Sequence, residues 1–306
     1  MRPTLRQLEY LVTISELGTF NAAATQLGVS QPALSSQIKE MEYSLRTRLF
    51  ERRKAGAQLT KTGEIICDRA RKVLRDVRDI QNIALRDLDA FSGKLNIAVL
   101  PSIGAYFLPN VVKELHHSFP ELRLIIREFD TDTIEDNLLN NDLDLVIATP
   151  LQKNGIVDEA LFKESLWICS AVDDPIMATR EPVFLSDLEH RELISPSTKT
   201  ELGRKIRIIG NMANATVSQE YTAIGLDASR QMSIMGAGIA VLPSLYALTE
   251  AVRDPDFRVR KIDHPIANIQ ISISWRSSSP FQDSYVKLAK IFREVYAEMD
   301  LSESFD

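Results

Sequence analysis

Cysteine is almost missing from the chain: only Cys67 and Cys169 occur among 306 residues, 102 positions apart. That spacing offers neither a disulfide framework nor a zinc motif, and it fits a reducing cytoplasm. Histidine is equally sparse, and His116, His117, His190 and His264 form no metal-binding motif. No apolar run approaches the ~20 residues that a bilayer-spanning helix needs. The opening MRPTLRQLEYLVTISEL lacks a continuous hydrophobic stretch and a small-residue cleavage site, so no export signal is expected. No GxGxxG follows a strand-like run and no GxxxxGK[ST] occurs, which excludes the familiar phosphate loops. No Ser/His/Asp set and no paired metal ligands emerge either, so no enzyme chemistry, metal or cofactor is expected.

What is present is globular. Hydrophobic residues make up 44% and charged residues 25%, which rules out a disordered chain. At ~150 residues per domain the length suggests about two domains, with room for a small third. The net charge of −6 hides an asymmetry. Residues 1–92 carry 15 basic and 11 acidic side chains, and the remainder carries 21 and 31. Phosphate binding needs clustered positive charge, not a high overall charge. The first part can meet nucleic acid, whereas the second would be repelled by it.

Local pattern sharpens this. Leu5, Leu8, Leu11, Val12 and Ile14 recur at helical spacing, predicting a helix over Thr4–Leu17 with Thr4 as cap and Gly18 as stop. A short helix, Asn21–Leu27, carries Ala22, Ala23 and Ala24, and small residues permit close helix approach. Gly28 supplies the turn. Ser30 caps a third helix, Gln31–Glu42, with Pro32 just inside its start. Leu34, Ile38 and Met41 face inward, leaving Gln31, Ser35, Ser36 and Lys39 outward. This is either a helix–turn–helix or an ordinary αα-corner. The next segment favours the first reading. Leu49 to Lys54, then Ala55-Gly56-Ala57 and Gln58-Leu59-Thr60, reads as a two-stranded wing with three consecutive basic residues at its tip. Such a tip suits the narrow, negative minor groove.

The run FNAAATQLGVSQPALSSQIKEMEYSLRTRLFERR…LTKTGE resembles the winged helix–turn–helix of LysR-type transcriptional regulators. The resemblance implies that Gln31, Pro32, Ser35 and Ser36 enter the major groove and that Arg52, Arg53 and Lys54 sit near the minor groove or backbone. Ser30 and Lys39 complete the candidate DNA-binding set. Ser36 stands where some members carry a basic residue, so their base preference does not transfer. From Thr62 to about Leu88, Ile66, Ala70, Val73, Val77, Ile80 and Ala84 form an apolar seam at steps of four and three. Arg69, Arg71, Asp76 and Asp79 lie off it. A partner helix, or the chain's own domain, must cover the seam. The family implies a linker-helix dimer, hence an operator with two half-sites; family tetramers are common. Cys67, beside Ile66, reads as structural.

Phe91-Ser92-Gly93 reads as a hinge, after which strands and helices alternate. Strands are expected at Leu95–Val99, Leu122–Glu128 and Leu143–Ala148, with a Pro101–Gly104 loop opening a helix over Ala105–Ser118 and a further helix starting near Asp130–Thr133. Ligands bind beyond the carboxyl ends of strands in such sheets. Those ends carry Ser102, Thr131 and Thr149, where helix N-termini favour an anion; helix capping is the plainer role for each. A second unit starts near Leu166–Ser170 and closes near Ile269–Trp275. It includes a strand leading into Ser195–Thr198 and a helix end, glycine turn and strand over Met235–Pro243. A final helix, Phe281–Met299, presents Val286, Leu288, Ile291 and Val295 and returns to the first unit.

The family resemblance extends here through Leu100-Pro-Ser-Ile-Gly104, Phe107-Leu-Pro109 and Phe119-Pro-Glu-Leu122, with the peroxide-sensing members most similar. It implies a two-lobed effector domain like periplasmic binding proteins. By that resemblance Ser102 and Thr131 would line one wall of the cleft, and Ser195, Pro196, Ser197 and Thr198 the other; Ile103 and Thr149 complete the candidate effector set. Peroxide-sensing members place their reactive cysteine near Thr200–Leu202, and none is there. Cys169 lies in an apolar strand, where burial makes a thiol inert.

The expected architecture is thus an α/β chain with a winged helix–turn–helix (1–61), a linker helix (62–90) and an effector domain (91–306). Lobe I spans about 93–164 and 269–306, and lobe II about 165–268. The expected function is a cytoplasmic, homodimeric or homotetrameric regulator that binds double-stranded promoter DNA under the control of a small, anionic effector, without membrane contact. An oxidant input without a disulfide switch is the alternative. A small-molecule-binding protein with an accessory helical domain is the reading from a different class.

Overall fold

The helices of the N-terminal part are punctuated by their caps. Helix α1 (Leu5–Leu17) opens with a reciprocal pair: the Gln7 N–H donates to Thr4 Oγ1 at 3.2 Å, and the Thr4 N–H donates to Gln7 Oε1 at 3.1 Å. Gly18, at φ +68°, ends it. Helix α2 (Phe20–Leu27) begins one residue before the expected Asn21 because Thr19 accepts the Ala22 N–H at 3.2 Å. Gly28, again left-handed, turns the chain into α3 (Gln31–Leu45), which Ser30 caps through the Ala33 N–H at 3.4 Å. Helix α3 outruns the expected Glu42 and stops only where Arg46 enters the left-handed region at φ +53°. That conformation costs a side-chain-bearing residue about 1 kcal/mol. The wing follows as β1 (Phe50–Arg53) and β2 (Gly56–Leu59), paired antiparallel from Phe50↔Leu59 to Arg53↔Gly56. Helix α4 (Lys61–Leu85) closes this part.

These elements come from a computed structural model that describes residues 2–53, 56–85, 93–128, 134–140, 142–179, 181–196, 200–220, 225–254 and 257–299. The chain divides into two compact units, Met1–Arg86 and Asp87–Asp306. In the first, Leu11, Ile14, Ala23, Leu34, Ile38, Met41 and Leu49 are buried together. The seam of α4 is divided. Cys67 and Ala70 are buried in this core, with Ile66 packed against it, so the helix's first turns are covered by their own domain. Val73 and Ile80 remain 42% and 65% exposed. Ile65 is also exposed, at 66%, but it stands off the seam, whose open part is that later stretch.

Among the described residues the second unit is built on one sheet of nine strands, whose ranges follow, in the order β4-β3-β5-β11-β6-β9-β7-β8, with β10 beside β6. Strand β3 (Gly93–Val99) feeds a helical segment that starts at Pro101, not after Gly104 as the sequence suggested. Proline is tolerated in a first helical turn. Gly104 is small because a Cβ there would lie 2.9 Å from Glu128 Oε1 and 3.1 Å from Val99 Cγ2, not because the chain turns. A π-helical turn, Ile103–Phe107, precedes α5 (Leu108–Ser118). Then come β4 (Leu122–Glu128), α6 (Ile134–Leu139) and β5 (Leu145–Ala148), with β3 parallel to both strands.

Strand β6 is the principal surprise. It runs from Ile156 to Cys169, ten residues ahead of the expected start at Leu166. Asp158, Glu159 and Glu164 broke the apolar alternation that would have marked it. Each is accommodated by tertiary partners: Asp158 accepts from Ser274 Oγ at 2.5 Å, Glu159 from Arg293 at 3.0 Å and Glu164 from the Leu245 N–H at 3.1 Å. Lobe II then adds β7 (Glu192–Ile194), α7 (Glu201–Ala213), β8 (Thr216–Val217), α8 (Leu226–Ile234), β9 (Ile239–Pro243), α9 (Ser244–Arg253) and β10 (Arg260–Lys261). The chain returns through β11 (Asn268–Arg276), antiparallel to both β6 and β5, and ends in α10 (Gln282–Glu298). Val286, expected inside, is 46% exposed. Helix α10 instead buries Tyr285, Leu288, Ala289, Phe292 and Val295, and its Tyr296 ring stacks on Phe162 of β6 at 3.8 Å.

Candidate nucleic-acid interface and effector cleft

Helix α3 is anchored by Leu34, Ile38 and Met41, and by a side-chain bridge in which Gln7 Nε2 donates to Gln37 Oε1 at 3.3 Å. Ser30, Pro32, Ser36 and Lys39 are exposed, and Gln31 is half-buried. Ser35 departs from the outward placement expected of it: it is 8% exposed. It borders Leu34 and stands one turn before Ile38, so the buried stripe is wide enough to take it in. Arg52 and Arg53 lie in β1, with their side chains outside the described residues, as is Lys54 altogether.

Glu42 belongs to this site although no sequence pattern singled it out. Its Oε1 accepts the N–H groups of Leu49 at 2.7 Å and Phe50 at 3.2 Å, fastening α3 to the wing strand. Main-chain partners leave no trace in residue identity, which is why the role escaped notice. The wing's second strand is tied to the turn between α1 and α2, where the Ala57 N–H donates to Gly18 O at 2.8 Å. Replacing Glu42 with alanine orphans two N–H groups beside buried residues. Chemical denaturation should show a loss of about 2 kcal/mol, with Glu42→Gln retaining most of the stability.

In the second unit, β6 pairs with β11 as far as Ser165↔Asn268 and with β9 from Leu166↔Pro243. That handover divides the lobes. Strands β3, β4 and β5 are parallel, and so are β7, β8 and β9; both sets run with their carboxyl ends toward the handover. Ser102 and Ile103 follow β3 and are 6% and 0% exposed, while Thr149 follows β5 and is half-buried. Ser195, at 1%, and the buried Pro196 follow β7. Thr131, Ser197 and Thr198 lie outside the described residues. Ser102 has helical dihedrals and accepts no capping N–H, so it is not spent on holding its own helix. Sequence reading missed Ser218 and Ser244, buried just past β8 and β9. Ser218 follows a strand of two residues, too short to be read from pattern, whereas Ser244 directly follows the strand that the sequence did place up to Pro243.

Tyr106 and Glu164 both reach from lobe I to helix α9 of lobe II. Tyr106, in the π-helical turn, donates its hydroxyl to Glu250 Oε1 on α9 at 3.2 Å and meets the Tyr246 ring edge-on at 5.5 Å. Burial, reinforced by the Glu250 charge, pushes the Tyr106 phenol up to about 12. Glu164, on β6 and only 2% exposed, accepts the Leu245 N–H in the first turn of α9. Burial pushes its carboxyl from the ordinary 4.5 to about 7, with that N–H pulling the other way. Both cysteines are fully buried; burial raises the Cys67 thiol and pushes Cys169 up to about 12. Among the described residues no group of three or more His, Cys, Asp or Glu could hold a metal ion, and no helix is long and apolar enough to cross a membrane.

A winged helix–turn–helix joined to a two-lobed α/β unit, with hydroxyl-bearing strand ends directed at one seam, defines a DNA-binding regulator that carries a ligand-sensing domain. The chain belongs to the LysR family of transcriptional regulators. Residues 5–64 match the bacterial regulatory helix-turn-helix protein, lysR family, and residues 89–297 match the LysR substrate binding domain. It is 32% identical over 297 residues to the DNA-binding transcriptional dual regulator OxyR of Escherichia coli, covering 97% of this chain and 96% of that protein. It is also 32% identical over 296 residues to the hydrogen peroxide-inducible genes activator of Dickeya chrysanthemi, covering 95% of each. A cysteine-to-aspartate variant of full-length OxyR from Pseudomonas aeruginosa superposes with a TM-score of 0.72 at 27% identity, covering 95% of this chain and 98% of that one. Thr200, in the cysteine-free Thr200–Leu202 stretch, caps α7 by accepting the Gly203 N–H at 3.2 Å.

Proposed function

We propose that a small anionic effector binds between the lobes and sets how the DNA-reading heads are presented to an operator with two half-sites. The observation that supports this most is the convergence of two sets of parallel strand ends carrying the buried hydroxyls of Ser102 and Ser195. Thr149, Ile103 and Pro196 complete the described part of the pocket; Thr131, Ser197 and Thr198 belong to the same candidate set and lie outside the described residues. Hydroxyls and free helix N–H groups suit a carboxylate or similar anion. The heads read DNA through Ser30, Gln31, Pro32, Ser36 and Lys39, with Ser35 supporting them and Arg52, Arg53 and Lys54 on the minor groove or backbone. Two chains pair through the exposed later seam of α4, and pairs assemble into a tetramer. The protein acts in the cytoplasm, on DNA, without catalysing a reaction. For the effector to act, its affinity must differ between two arrangements of the lobes.

A metabolite screen by thermal shift on the full chain tests the pocket. A stabilising anion should lose at least tenfold in affinity in Ser102→Ala and Ser195→Ala, with operator affinity in its absence unchanged. Both variants responding like the wild type would place the pocket elsewhere. A second input, oxidation, is favoured by the peroxide-linked names of the relatives and by Met235, which is 84% exposed. There the thioether sulfur would take one oxygen atom from hydrogen peroxide and release water. Operator affinity that responds to peroxide and to no metabolite would select this reading.

A further inference from the structure

Tyr43 is the most exposed large hydrophobic side chain among the described residues, at 87%, and it sits on α3. Its position on the helix explains why. At about 100° per residue, Ser36, Lys39 and Tyr43 stand about 40°, −20° and 20° from Pro32. All four therefore share one stripe, and the fully buried Leu34 and Met41 lie on the opposite side. Tyr43 continues the outward face that begins at Pro32. It ends that face about 16 Å further along the helix axis. The major groove is only about 12 Å wide. A helix that enters it by its first turns emerges near its fourth at the phosphate rim.

We propose that Tyr43 is a DNA-backbone contact: its ring covers a deoxyribose and its hydroxyl donates to a phosphate oxygen at the groove edge. The proposal rests on α3 being the element that enters the groove. Charge supports DNA as the occupant. Arg46 and Arg48 are exposed just beyond Tyr43, and Lys39 lies one turn before it. Glu40, three residues before Tyr43, is about 80° from Pro32 around the helix and accepts from Gln37 Nε2 at 3.2 Å. Glu42 is turned to the wing strand. An amphipathic ring with a polar tip suits a surface of sugars and phosphates. Such a contact fixes the register of the helix on the duplex and reads no base.

The test uses the full-length protein and a duplex selected from random-sequence DNA by the wild type. Fluorescence anisotropy is followed over a range of salt concentrations. Tyr43→Ala should weaken binding on the order of tenfold, and Tyr43→Phe should lose part of that. The loss should be equal on the selected duplex and on an unrelated one, with the selected sequence and the salt slope unchanged because no charge is removed. Melting temperature should not move, since the side chain is exposed. Equal affinity in all three proteins overturns the proposal. So does a loss confined to one base position, or a change in sedimentation without a change in affinity, which would make Tyr43 a contact between copies of the chain. A wild type that binds no duplex even at low salt would sink the groove reading and Tyr43's role together, whereas wild-type binding with unaffected variants sinks only the latter.

Discussion

A Gly63→Ala protein is expected to lose operator binding while its effector unit melts as in the wild type. A Cβ at position 63 would lie 2.2 Å from the carbonyl oxygen of Leu49 and 3.0 Å from its carbonyl carbon. Neither atom can yield. Leu49 O already accepts the Thr60 N–H at 2.9 Å. Thr60 Oγ1 accepts the Gly63 N–H at 2.9 Å and donates to Arg48 O at 2.8 Å. The start of α4 is thus riveted to the chain segment entering the wing. Moving it outward would draw Cys67 and Ala70 from the head's core and strain the Glu42 contacts across the wing. Overpacking of this kind costs about 3 kcal/mol or more where only backbone can move, a large share of a small domain's stability. Because Met1–Arg86 forms its own compact unit, calorimetry should show one transition falling by at least 10 °C and the other unmoved. A first transition at the wild-type temperature would show that the Leu49 contact is not tight.

The second large effect concerns pH. The buried Glu164 carboxyl is raised from 4.5 to about 7, so the folded unit holds a proton that the unfolded chain has released. The sign follows from linkage: its contribution to stability is fully present below about pH 4.5 and is lost as pH rises through about 7. Glu164→Gln keeps an oxygen for the Leu245 N–H and carries no titrating proton. The variant should match the wild type near pH 4.5 and exceed it above pH 8 by on the order of 3 kcal/mol in the effector unit. Comparing the two proteins cancels the four histidines, which both retain. Parallel stability profiles from pH 5 to 8.5 would mean that Glu164 is hydrated in the folded state.

The head was legible residue by residue because short-range rules write it. Thr4, Gly18, Thr19, Gly28 and Ser30 each act within four residues, and each cap or stop is where local chemistry puts it. Two boundaries and one face misled: the Thr19 cap starts α2 a residue before Asn21, α3 runs past Glu42 to Leu45, and Ser35 lies at the edge of a stripe broader than the period implied. In the effector unit, β4 matched its apolar pattern from Leu122 to Glu128, whereas the first ten residues of β6 did not show themselves. Their carboxylates are answered by Ser274, Arg293 and the first turn of α9, all more than 80 residues away. The Tyr106–Glu250 contact spans 144 positions and has no local signature. The strand-end hydroxyl Ser102 was singled out because a general rule places ligands there, whereas Ser195 entered through the family resemblance. Ser218, behind the two-residue β8, needed the strand order.

Strand β6 belongs to the sheet on both sides of the handover, and β11 runs back alongside it. An extended strand hydrogen-bonded along its length resists bending in its plane but yields to torsion about its own axis. The lobes are therefore joined by a torsion bar, not a loose tether. A change in the angle between the lobes would have to pass through this strand as twist.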